Sequence, residues 1–123
     1  MGLDQYAVAR EIGAKKEDDP KELAYWRKHN RLQGYMECLW RKKTGETGEF
    51  NCVEVQLTLK NLDDLKAVIE DKKLPKTSGF FYGSDSYEDY DGEYGYKKDD
   101  VAFIKAAKKA IKDGLEVYYS SWW

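Results

Sequence analysis

One histidine, two cysteines and two prolines are all that the 123 residues hold of those types, and each scarcity closes off a class of chemistry. A transition-metal centre needs several imidazole or thiolate ligands. His29 with Cys38 and Cys52, which stand in unlike contexts with no C-x-x-C spacing, is too small a set, so no metal and no other cofactor is expected. The same two cysteines make no disulfide framework, and thiols in a reducing cytosol are the simpler reading. No apolar run reaches the length of a signal segment or a membrane span, since Met1 is followed at once by Gly2, Leu3, Asp4 and Gln5. A cytoplasmic protein is expected. Basic residues are not in excess either: 21 Lys and Arg stand against 23 Asp and Glu, a formal net charge of -2. Phosphate neutralisation requires a cationic excess, which argues against general nucleic-acid binding and against a membrane surface.

Aromatic rings are what the chain has in abundance, at 15% of residues. Each ring buries a large area, so a core can form where Val, Ile and Leu are sparse. At this length the chain is one domain, able to bury roughly two-thirds of its unfolded surface without staples. The rings concentrate in Gly79 to Tyr96, G-F-F-Y-G-S-D-S-Y-E-D-Y-D-G-E-Y-G-Y, which holds seven aromatics, five acids and four glycines. Gly79 to Ser84 reads as a packed strand end, and Asp85 to Tyr96 as an irregular, acidic, Tyr-studded lip.

Leu3 to Ile12 alternates and predicts a strand. Gly13 to Pro20 is a polar connector, with Pro20 suited to a first helical turn behind Asp18 or Asp19 as cap. From Lys21 to about Lys43 the spacing turns helical. Tyr25, His29, Leu32, Met36 and Leu39 form one stripe, and Trp26, Asn30, Gln33, Glu37 and Trp40 a second beside it. Thr44 to Gly48 is a turn, and Phe50 to Thr58 alternates as a strand. Asn61 is the expected cap of a second helix, with Asp64 three residues on and Leu62, Leu65, Val68 and Ile69 inward; Pro75 marks where that helix has stopped. Lys98 to Asp113 is a third helix, with Phe103, Ile104, Ala107, Ala110 and Ile111 inward and Gly114 past its end. Leu115 to Ser121 closes the chain as a strand. The half-polar alternation favours a mixed or antiparallel sheet of about four strands with three helices packed mainly on one face, an α+β single domain.

Several constellations bear on chemistry. Ser84 follows Gly83 and His29 is the sole imidazole, but Gly79 to Ser84 is not the G-x-S-x-G of a nucleophile elbow. Asp85, Asp89, Asp91 and Glu93 are oxygen-rich, yet counted from Asp89 the sixth position is Tyr94, not the glycine a calcium loop needs. The stripe in which Trp26 and Trp40 bracket Asn30, Gln33 and Glu37 has the composition of a polar-ligand pocket, with the Tyr-rich loop and Tyr118-Tyr119-Ser120-Ser121-Trp122 as natural walls; the alternative is tryptophans at the core edge with exposed amides. Charge is segregated as well: residues 21–43 carry a net +5 and residues 85–100 a net -5. That complementarity suits docking of one segment on the other, steering of a partner, or self-association; separate solvated faces are the alternative.

Three segments carry a resemblance: Met1-Gly2-Leu3-Asp4-Gln5-Tyr6, Tyr25-Trp26-Arg27-Lys28-His29-Asn30, and Gly79-Phe80-Phe81-Tyr82-Gly83-Ser84 together with Tyr118-Tyr119-Ser120-Ser121-Trp122. In this order the chain resembles, over nearly its whole length, a family of small bacteriophage and bacterial proteins with no assigned activity. Tyr87, Glu88, Asp89 and Tyr90 match the aromatic and acidic run after that family's glycine-serine step. Gln33 departs from it, because a histidine is common there. The resemblance implies a phage or bacterial origin, with residence in the host cytoplasm if phage-encoded, and no activity.

Two functional expectations follow. In the first, the chain is a non-enzymatic accessory binding protein that engages a host protein, another copy of itself or a small polar ligand through Trp26, Arg27, His29, Asn30, Gln33, Tyr82, Ser84, Tyr87 and Tyr118. In the second, it is a small hydrolase or transferase with His29 or Glu37 as general base near the Gly83-Ser84 turn.

Overall fold

Alternation along the first strand sets the inside of the molecule. The computed structural model describes residues 4–13, 21–27, 29–71, 73–74 and 97–122. In β1 (Asp4–Glu11), Gln5, Ala7 and Ala9 are buried, while Asp4, Tyr6 and Val8 on the other side are partly exposed. There follow β2 (Lys21–Arg27), α1 (Asn30–Thr44), β3 (Glu54–Leu57), α2 (Leu59–Glu70), α3 (Lys97–Lys112) and β4 (Leu115–Trp122). The strands form one sheet in the order β2-β1-β4-β3, every neighbouring pair antiparallel. Among the described strands, the first and the last in sequence are therefore the two central ones.

Helices cover one face. Leu32, Met36 and Trp40 of α1, Leu62, Leu65 and Ile69 of α2, and Phe103, Ile104 and Ala107 of α3 join Ala7, Ala9, Val55, Leu57, Val117 and Tyr119 of the sheet in a single core. Rings knit it together. Trp26 meets Phe103 edge-on at 5.1 Å between centroids, and Phe50 stacks on Tyr119 at 6.1 Å, geometries the aromatic quadrupole favours. The expected α+β architecture is the observed one, with four strands and three helices on one face among the described residues, and the sheet is antiparallel.

The largest correction concerns Lys21 to Arg27, expected as the first two turns of a helix and observed as strand β2. Its ladder with β1 pairs Arg27 with Asp4, Trp26 with Gln5 and Tyr25 with Tyr6. Two helical stripes ran through this segment in the sequence, but Tyr25 is 48% exposed and His29 fully buried, so residues four apart look in opposite directions. Hydrogen bonding to β1 overrides the local period, and Tyr and Trp suit a strand. The helix itself begins at Asn30 behind His29, which makes no side-chain cap. Gln5 does that work from β1: its Oε1 accepts from the His29 backbone N–H at 2.7 Å and its Nε2 donates to the His29 carbonyl at 3.0 Å. Helix α1 ends at Gly45, left-handed at φ 75, whose N–H donates to the Arg41 carbonyl.

Smaller corrections follow the same logic. The strand expected over Phe50 to Thr58 shortens to β3, because Cys52 adopts φ 60 and its N–H donates to the Ser121 carbonyl ahead of the regular ladder. The cap of α2 is Thr58, not Asn61. The Thr58 hydroxyl accepts from the Asn61 N–H, and the Asn61 side chain accepts from the Thr58 N–H in return. Helix α3 agrees with expectation, with Asp99 and Asp100 in its first turn, Lys109 and Lys112 in its last, and Gly114 at φ 92 beyond it. The strand end over 79–84, the Tyr-rich lip, Pro75, and the cap at Asp18, Asp19 and Pro20 lie outside the described residues.

Candidate functional site

The residues singled out in the sequence separate onto two sides of the sheet. Trp26, His29, Asn30 and Gln33 lie on the helix side, each 2% exposed or less. Arg27 and Tyr118 belong to the other face. Tyr82, Ser84 and Tyr87 lie outside the described residues.

On the helix side the polar groups satisfy one another. His29 Nε2 lies 2.8 Å from Asp100 Oδ2, and Trp26 Nε1 donates to Asp100 Oδ1 at 2.9 Å. One carboxylate thus ties the end of β2 and the entry to α1 onto the first turn of α3. A chain of hydrogen bonds runs beside it: Gln5 Nε2 to the Tyr119 hydroxyl at 2.8 Å, that hydroxyl to Gln33 Oε1 at 2.7 Å, and Gln33 Nε2 to Ser121 Oγ at 2.9 Å. Gln5, Asp100 and Tyr119 are wholly buried. Buried polar groups are tolerated when paired in this way, and a satisfied network makes the core specific. Arg31 on α1 is also drawn in, donating to the Leu74 carbonyl at 3.0 Å.

The stripe expected to line a pocket is therefore neither a pocket wall nor a row of exposed amides. Trp26 and Trp40 are core residues, Asn30 and Gln33 are interior, and only Glu37 reaches solvent, where it pairs with Arg41 at 2.9 Å. Of the negative segment only residues 97–100 are described, and there Asp100 meets His29 inside the positive one. Among the described residues no group of three His, Cys, Asp or Glu could hold a metal ion. The acidic cluster Asp85, Asp89, Asp91 and Glu93 lies outside them. Cys38 and Cys52 are exposed free thiols.

Sequence reasoning named Tyr119 only as a pocket wall and passed over Gln5 and Asp100. A signal existed for Gln5, because it is a polar residue at the inward register of its strand. Asp100 gave none, since an acid in the first turn of a helix is ordinary.

The outer face is organised in rows across the strands. Arg27, Asp4 and Trp122 form one row, Tyr25, Tyr6, Ser120 and Glu54 the next, and Val8, Tyr118 and Gln56 a third. The Tyr6 and Tyr25 rings are 5.2 Å apart, and the Tyr25 hydroxyl donates to Asp4 at 2.6 Å, which raises the Tyr25 pKa above the ordinary tyrosine value because the carboxylate holds the phenol proton. Arg10 lies under the third row, its guanidinium 4.0 Å from the Tyr118 ring centre and 3.0 Å from Glu54. Burial alone would lower the Arg10 pKa, but the hydrogen bonds and charges of Glu54 and Tyr118 outweigh it and raise the value. Trp122 is 64% exposed at the end of the first row. Large exposed rings beside arginines are the residue types that dominate binding energy at protein interfaces.

The chain matches no known protein family, no curated protein and no solved structure.

Proposed function

We propose that this chain is a non-enzymatic binding protein, an accessory protein of a bacteriophage or bacterium, that engages a protein partner through the outer face of its sheet. The observation that carries the reading is the division of the candidate residues. His29, the only imidazole, is fully buried against Asp100, whereas Tyr25, Arg27 and Trp122 stand exposed on the outer face. A general base must come within hydrogen-bond reach of a substrate proton, and full burial of His29 together with the Glu37–Arg41 pair weighs against the hydrolase reading. The rows of Tyr6, Tyr25, Tyr118 and Trp122, with Arg27 at their edge, supply apolar area with polar tips. No helix among the described residues is long and apolar enough to cross a membrane.

The test is quantitative capture from bacterial extract on immobilised wild-type chain and on the double variant Tyr25→Ala/Trp122→Ala, with sedimentation to detect self-association. Both side chains are exposed, so the variant should retain its fold. A partner, or a second copy, that is retained by wild type and lost from the variant is the expected result. Equal recovery of every captured protein from both, with unchanged sedimentation, would overturn the reading.

A further inference from the structure

The helix layer carries a surface of different chemistry. Between α2 and α3 lies a groove of about 240 Å³ lined by Val101, Ile104, Lys66, Lys105 and Lys108. Its apolar lining is Val101, 46% exposed, and the buried Ile104. Its rim is cationic. Lys108 is paired with Asp63, a carboxylate whose pKa Lys66 also helps to lower, while Lys66 and Lys105 make no ion pair with any described residue, so among the described residues three ammonium groups stand against one carboxylate beside the apolar strip. The volume is below the roughly 300–1,000 Å³ of clefts that enclose small molecules, and suits one large side chain delivered by a longer ligand. Phosphate groups would satisfy the lysines but leave the Val101 strip unused, and the chain as a whole, at net -2, offers no extended basic surface for a nucleic acid.

We propose that the groove between α2 and α3 is a docking site for an acidic peptide segment with one apolar anchor, the anchor seated on Val101 and its flanking carboxylates on Lys66 and Lys105. Helix-pair grooves of this composition recognise peptides by apolar anchors, while rim charges set orientation and on-rate. The site belongs to the helix layer, so it acts independently of the outer sheet face.

A fluorescein-labelled peptide rich in Asp and Glu, with a single central Phe, titrated with the full chain and followed by anisotropy, tests this. Binding should saturate, weaken as salt is raised, and fall about tenfold for Lys66→Glu/Lys105→Glu, as expected when two rim contacts become repulsive. Replacing the peptide's Phe with Ala should weaken it comparably. Both lysines are exposed, and Lys66→Gln/Lys105→Gln, which only neutralises them, should give an intermediate loss with an unchanged thermal melt. The sheet-face variant Tyr25→Ala/Trp122→Ala should bind the peptide as wild type does. Absence of saturable binding, or equal affinity in the charge-reversed variant, would overturn the proposal. So would tighter binding of a single-stranded oligonucleotide or of phosphatidylglycerol vesicles, which would assign the lysines to a phosphate surface instead.

Discussion

His29 Nε2 sits 2.8 Å from Asp100 Oδ2 across 71 residues of sequence, with both side chains sealed from solvent. The same carboxylate accepts the Trp26 indole proton. Removing it takes a hydrogen-bond partner from two buried groups at once, and a buried polar group left unsatisfied costs about 1–3 kcal/mol. Asp100→Ala should therefore lose stability on that scale in urea unfolding followed by tryptophan fluorescence. Asp100→Asn keeps an acceptor for the indole and should lose clearly less; equal losses would mean that the retained acceptor contributes nothing and that the carboxylate charge decides.

Tyr119 links Gln5 to Gln33 through its hydroxyl alone. Tyr119→Phe keeps the ring stacked on Phe50 but removes a donor and an acceptor from a dry network, at a cost of about 1–3 kcal/mol. Gln33→Leu should cost a similar amount, and the double variant less than the sum of the two, because both break the same hydrogen bond. Additive losses in a double-mutant cycle would show that the chain of bonds is not coupled.

Tyr25 gives a pH signature. Its hydroxyl donates to Asp4, which raises its folded pKa. A group raised on folding contributes stability that is complete below its unfolded pKa, about 10 for tyrosine, and lost as pH rises through the folded value. The contact should therefore be indifferent to pH near neutrality and weaken only in the alkaline range. Spectrophotometric titration should find Tyr25 ionising late alongside Tyr35, which burial raises, and Asp4→Asn should return only Tyr25 toward the ordinary value. An unaltered titration in Asp4→Asn would exclude the contact.

At the start of α2, the reciprocal bonds between Thr58 and Asn61 predict that Thr58→Ala costs about 1 kcal/mol. Thr58→Ser, which keeps the accepting oxygen, should be close to neutral. Thermal melts of the three proteins would decide it. If Thr58→Ala melted with wild type, the cap would lie elsewhere.

What the sequence determined by itself is whatever depends on neighbours within one turn or one pleat. The inward stripe Phe103, Ile104, Ala107 and Ala110 placed α3 and its face, and the alternation in β1 and β4 placed two strands, because side-chain direction follows from local backbone period alone. The α+β class followed from the succession of those periods. Tertiary structure decided the rest. Lys21 to Arg27 has spacings that fit a helix, and only the ladder with Asp4 to Ala9 makes it a strand; a hydrogen-bonding partner that distant leaves no mark in local spacing. The same ladder sends Trp26 into the core and Tyr25 and Arg27 outward, so one expected site became a buried polar cluster on one face and an exposed aromatic row on the other. Asp100 looked like any first-turn acid until the packing of α3 against the end of β2 brought it to His29.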